Sequence, residues 1–164
     1  FGALIKNSLP KDNGELATSK ISEEVLIYKD SWGIPHIEAQ NKHDAIFAYG
    51  YTVAKDRLFQ MDLQRRLSQG KLSELLGDDL VEIDIMFRTY LFKNWAENYL
   101  SSSHLSEESL SYVNAFVEGV NHFVETGEKP FEYYLLNANV ESFSAVDVAS
   151  MTAYMAFTLS LIHI

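Results

Sequence analysis

Five histidines are the residues best suited to proton transfer near neutral pH: His36, His43, His104, His122 and His163. A helical zinc site needs two of them four positions apart with a carboxylate close by, and no two stand at that spacing. They read as structural or surface histidines. No cysteine is present, which removes a disulfide framework, a thiolate zinc site and a cysteine nucleophile. The chain has no Gly-rich phosphate loop and no G-x-S-x-G elbow, and none of its serines stands in a recognisable nucleophile context. Asp78-Asp79 reads as a solvated turn rather than an acid/base dyad. Asp56-Arg57 and Arg65-Arg66 fall within an apolar-faced helical pattern, so they are expected to form ion pairs that orient that helix against a neighbour. Asp62, four residues before Arg66, is a partner along the same helix. These residues alone give no catalytic constellation and no metal site.

The elements that must carry these residues follow from periodicity. Residues 1–24 are polar, broken by Pro10 and Asn13-Gly14, and read as an extended lead-in. Val25-Leu26-Ile27-Tyr28 is β-rich, Asp30-Ser31-Trp32-Gly33 supplies a turn, and Ile34 to Ala39 reads as a second short strand with Pro35 near its start. From Lys42 the period becomes helical: Phe47, Tyr51, Ala54, Leu58 and Met61 share one face, and Gly70 ends the element. A short helix over 72–76 closes at Gly77, and one continuous helix is expected from Glu82 to Leu100. Ser106 with Glu107 and Glu108 marks the next start, with acidic side chains at the positive end of the dipole. Its apolar stripe is Leu110, Val113, Val117, Val120 and Val124, and Gly127 is its stop. Ser144 and Asp147 resemble a capping box opening a last apolar helix through Met151 and Met155. The expectation is a mostly helical α+β chain led by a strand pair.

Composition narrows the partners. The 164 residues carry a net charge of −10 and no basic run longer than Arg65-Arg66, so a nucleic-acid partner is not expected. No apolar stretch reaches the length of a membrane span. With 47% hydrophobic and 13% aromatic residues, the chain can build a packed core.

Several segments in succession are more specific than any one of them. Tyr28-Lys29-Asp30-Ser31-Trp32-Gly33-Ile34-Pro35-His36-Ile37 is followed by Asp44-Ala45-Ile46-Phe47-Ala48-Tyr49-Gly50-Tyr51 and by Ala54-Lys55-Asp56-Arg57-Leu58-Phe59-Gln60-Met61. Arg65-Arg66, Gly70 through Gly77, Ala115 through Asn121 and Phe143 through Asp147 continue the series. The succession resembles the α-subunit start of penicillin acylases and of their cephalosporin and acyl-homoserine-lactone acylase relatives. Lys29, Lys55 and Phe143 stand where Arg, Gln and Trp are common, which are mild departures.

The resemblance implies the helical α-subunit portion of an αββα N-terminal-nucleophile hydrolase, over residues 25–158. It implies no catalytic residue in this chain: a serine at the start of a β-subunit, freed by self-cleavage of a precursor, attacks an N-acyl amide with its own α-amine as base. Oxyanion donors also lie on that β-subunit. Expected partners are therefore the β-subunit of the same precursor and a small N-acyl amide. Calcium is a cofactor the complete enzyme could use, with ligands largely on the β-subunit and none convincing here. Periplasmic or secreted localisation is the family's habit. Anchored at Asp147-Val148, the resemblance places one wall of the acyl pocket near Met155, Ala156, Leu159 and Ser160; an apolar core helix would explain the same residues. Residues 159–164 also resemble the in-frame translation of a sequencing adapter, and on that reading the tail is non-native and Leu159 and Ser160 are not pocket residues. The other reading of the whole chain is a non-enzymatic helical interaction module.

Overall fold

The computed structural model describes residues 8, 13–102 and 105–161. Most of the start of the lead-in, His104, His163 and the tail residues 162–164 lie outside the described residues. Strand β1 (Leu26–Lys29) pairs antiparallel with β2 (Pro35–Glu38), Leu26 opposite Glu38 and Lys29 opposite Pro35. Asp30 builds the turn: its carboxylate accepts the N–H groups of Trp32 and Ile34, each at 2.9 Å, while Gly33 takes φ 77°. The Ile34 N–H and then His36 hold the Asp30 carboxyl below its ordinary range. Pro35 occupies the first strand position, where a missing donor is tolerated.

Helix α1 (Lys42–Gln69) starts at Asn41, whose side chain accepts from the Asp44 N–H, and ends at Gly70 with φ 64°. Its backbone breaks helical geometry at Arg57 (φ −140°, ψ 19°), where the sequence has neither proline nor glycine. The Asp44 carboxylate is buried and accepts from the Ser22 N–H and hydroxyl, the Glu23 N–H and the Asn41 amide. Burial alone would raise its pKa, but these donors outweigh it and hold the carboxyl well below the usual range. The end of the lead-in is thereby tied to the start of α1.

A short helix α2 (Ser73–Leu76) and a 3₁₀ turn (Asp78–Leu80) lead into α3 (Val81–Tyr90) and α4 (Phe92–Ser101). The single helix expected over 82–100 is thus two. Leu91 separates them in the left-handed region, φ 58° and ψ 30°. On one straight helix Tyr90 and Phe92 would point about 200° apart. The break turns both toward one aromatic cluster, where their rings lie 5.7 Å apart and each meets Phe157, at 4.9 and 5.6 Å. Packing of three large rings overrides the propensity of Leu91.

Helix α5 (Glu107–Thr126) begins at Ser106, whose hydroxyl accepts the Ser109 N–H. It crosses α1 so closely that a Cβ on Gly50 would lie 2.1 Å from the Phe116 carbonyl oxygen, and one on Gly119 would lie 2.0 Å from that of Phe47. Around the crossing, Ala54, Leu58 and Met61 pack on Val117, Val120, Phe123 and Phe143. A helix absent from the sequence-based expectations, α6 (Phe131–Leu135), places Tyr133 in this core. The chain then runs irregularly to α7 (Ala145–Leu161), opened by the expected capping box: the Ser144 N–H donates to the Asp147 carboxylate at 2.7 Å.

Candidate functional site

Helix α7 has two unlike sides. Thr152, Met155, Ala156, Leu159 and Ser160 follow the i, i+3, i+4, i+7, i+8 spacing of one helical face, and all five are exposed. Met155 is 52% and Leu159 58% exposed, high values for large apolar side chains. The residues named from the resemblance, Met155, Ala156, Leu159 and Ser160, therefore lie together on the open side of the helix and not against the core of this chain. The opposite side is anchored by rings. Tyr154 meets Phe87 at 5.6 Å and Phe92 at 6.4 Å, and Phe157 meets Tyr90 and Phe92.

The start of α7 is held by polar groups from α1 and α5. Asn121 reads the backbone of one residue twice: its amide donates to the Phe143 carbonyl at 2.8 Å and accepts the Phe143 N–H at 2.7 Å. One Arg65 nitrogen donates to the carbonyls of Glu141 and Ser142, both at 3.1 Å. The same guanidinium lies 4.2 Å above the Phe143 ring centre, a cation–π arrangement. Gln69 donates to the Asp147 carboxylate.

Arg65 is itself fixed by Asp62, which is fully buried and binds Arg65 and, at 3.1 Å, the Nε of Arg66. The Tyr133 hydroxyl donates to the same Asp62 oxygen as Arg66, Oδ2, at 3.0 Å, while Arg65 takes Oδ1. Burial first, and then the Asp62 charge, push the Tyr133 hydroxyl pKa well up, so it stays a donor. Two guanidinium groups and a phenol offset the cost of burying Asp62. The expected ion pairing is present for Arg65-Arg66 and for Asp56, which pairs with Lys29 of the hairpin at 3.2 Å; the Arg57 guanidinium donates to Gln60.

The three described histidines, His36, His43 and His122, stay apart. His36 stacks on Tyr28 with ring centres 5.2 Å apart and faces Asp30, and His43 lies 3.6 Å from Asp44. The ring of His122 lies near those of Phe47 and Tyr51, with Nε2 buried and unbonded among the described residues. Asp78 and Asp79 lie on an exposed turn. No three His, Asp or Glu side chains among the described residues converge as metal ligands. Among the described residues, no helix is long and apolar enough to cross a membrane.

Sequence reasoning missed Asn121, Tyr133 and Thr152. The first two act across the fold, and periodicity carries no signal for such contacts. Thr152 was legible, because it stands one turn before Met155 on the same face.

Comparison with known proteins gives one family. The family model for penicillin amidase matches residues 24–163. The chain is 38% identical, over 84% of its own length, to penicillin acylase 2 proenzyme of Pseudomonas sp. strain SE83. It is 36% identical to penicillin G acylase of Escherichia coli over 63% of its length. To the acyl-homoserine lactone acylase QuiP of Pseudomonas aeruginosa it is 35% identical over 72%. It spans only 18%, 12% and 14% of those three proteins, respectively. Among solved structures it superposes on thermostable penicillin G acylase of Alcaligenes faecalis with TM-score 0.71 and 28% identity, covering 80% of this chain and 71% of that one. All of these relatives are named as acylases.

Proposed function

The chain belongs to the penicillin amidase family, and from that premise we propose that it is the α-subunit portion of an acylase that hydrolyses small N-acyl amides. The observation that carries the reading is the exposed stripe of α7. Met155, Ala156 and Leu159 present an apolar wall on a helix whose other side is anchored by rings. An acyl chain lying on this wall loses contact with water, and each buried CH₂ contributes about 0.8 kcal/mol. The wall supplies selection rather than chemistry.

Amide cleavage belongs to a serine at the start of a β-subunit, whose free α-amine takes the hydroxyl proton as the oxygen attacks the carbonyl. The amine of the substrate leaves with a proton, and water then releases the acid from the acyl-enzyme. The word proenzyme in the name of the Pseudomonas relative supports a precursor cut into such subunits. The β-subunit of the same precursor is thus the macromolecular partner, and a periplasmic or extracellular site of action fits the family. Any calcium site of the complete enzyme is placed largely on that β-subunit, as the family resemblance implies. The acyl group is that of a β-lactam side chain or of an acyl-homoserine lactone, the two classes in the relatives' names.

The test is hydrolysis of chromogenic phenylacetyl and long-chain acyl amides by the complete gene product and by this chain alone. Activity in the complete product, with none in the chain alone, is expected. Turnover by the chain alone would overturn the assignment of the nucleophile to a β-subunit. Correct processing without turnover of any acyl amide would overturn the acylase reading.

A further inference from the structure

We propose that Asn121 and Arg65, neither of which is on α7, are positioning residues that set acyl selectivity by fixing where α7 begins. The inference rests on the reading of α7 as a wall of the acyl pocket. Before Ala145 the chain is irregular, and its backbone groups must find partners outside a helix or sheet. They find them on two side chains. Asn121 of α5 takes both the N–H and the carbonyl of Phe143, as a neighbouring strand would. Arg65 of α1 takes the two preceding carbonyls, of Glu141 and Ser142, and covers the Phe143 ring.

Three consecutive residues are therefore held from the two helices that cross backbone to backbone at Gly50 and Gly119. Neither side chain is placed for a mainly local purpose. Among the described residues the Asn121 side chain has no hydrogen-bond partner besides the Phe143 backbone, and Arg65 is aimed by a carboxylate that also accepts from Tyr133. Helix α7 then carries that placement outward. From Ala145 to Leu159 the helical rise amounts to about 21 Å, so a tilt of about 5° at the start displaces the far end by roughly 2 Å. The ring contacts of Tyr154 and Phe157 restrain sideways travel, so loss of the polar grip shifts the wall rather than detaching it. Long acyl chains cover more of the wall, and so sense such a shift more than short ones do.

The experiment compares acetyl, hexanoyl and phenylacetyl amides as substrates of the complete gene product and its variants. Asn121→Ala is expected to lower kcat/KM for the hexanoyl amide relative to the acetyl amide by on the order of tenfold, chiefly through KM. Asn121→Asp keeps the acceptor for the Phe143 N–H and loses the donor, so its shift has the same direction and is smaller. Arg65→Lys keeps a charge beside Asp62 but cannot serve both carbonyls, and is expected to shift the same ratio. Asp44→Asn, which weakens a polar clamp remote from α7, lowers thermal stability and leaves the ratio unchanged.

Met155→Ala and Leu159→Ala separate the two levels of the argument. A ratio moved by these two but unmoved by Asn121→Ala, Asn121→Asp and Arg65→Lys overturns the positioning role alone. A ratio that none of the variants moves overturns the pocket reading and the positioning role with it. Should Asn121→Ala fail to accumulate, Asn121→Asp and Arg65→Lys decide the matter.

Discussion

Gly50 and Gly119 stand where two helices touch backbone to backbone, whereas Trp32, at the tip of the β1–β2 hairpin, is 86% exposed. At the crossing, backbone atoms leave no room for a single added carbon. In the hairpin, Leu26, Ile27, Tyr28 and Ile34 are all exposed although they are apolar. Two strands joined only to each other are marginal in water. The difference separates residues whose burial this chain completes by itself from residues whose apolar surface it leaves open. The outer face of α7 belongs with the hairpin in that respect, and its inner face with the crossing. An isolated chain with such open surface is expected to be sticky, because contiguous exposed apolar area drives association.

Substitutions can break or sharpen this contrast. The largest effect is expected at Asp62. Asp62→Ala strands two buried guanidinium groups and the Tyr133 hydroxyl, and should cost about 3–5 kcal/mol in urea unfolding. A loss below about 1 kcal/mol would show that the buried network is not part of the self-sufficient region. Gly119→Ala comes next. Its new carbon meets backbone rather than a flexible side-chain end, so a cost of about 1–3 kcal/mol or more is expected from the same melts.

Asp44 gives a pH signature. Its folded pKa is depressed, so the stability it contributes is present above the unfolded carboxylate value of about 4 and is lost as pH falls below that. Asp44→Asn should cost about 1–3 kcal/mol near neutrality and flatten the acid limb of a stability-against-pH curve. An acid limb as steep as that of the parent would mean that another carboxylate governs it.

Leu91→Gly removes the penalty of a left-handed leucine and should raise the unfolding free energy by up to about 1 kcal/mol. A fall of similar size would mean that the half-exposed leucine side chain contributes more than the backbone penalty. The smallest effect is expected from Trp32→Ala, within about 0.5 kcal/mol in the isolated chain. A larger loss there would erase the contrast between hairpin and crossing.

How much of this was legible in the sequence depended on the range of the cause. The strand pair, the caps at Ser106 and Ser144 and the helix end at Gly70 are local effects, and each is where its residues indicated. The break at Leu91 was not legible, because leucine is a good helix former and the aromatic cluster that turns it draws on α7. The break at Arg57 likewise had no signal. Of the site, the spacing from Met155 to Ser160 was readable as one face, but not that this face lies open. Its supports were hidden because Asn121 and Phe143 are 22 residues apart, and Arg65 and Glu141 are 76 apart. Side chains that bond backbone across such distances leave no periodic trace.

The separation between Asp62 and Tyr133, 71 residues, also bears on how the chain comes into being. At a synthesis rate of about 5–20 residues per second, Asp62 emerges roughly 4–14 seconds before Tyr133. For much of that interval Ala54, Leu58 and Met61 lack the helix that covers them, and until Tyr133 arrives Asp62 has the two neighbouring arginines. A nascent α1 is therefore a target for chaperones, and variants that slow the arrival of α5 and α6 should first appear as lost yield in cells and only later as altered activity.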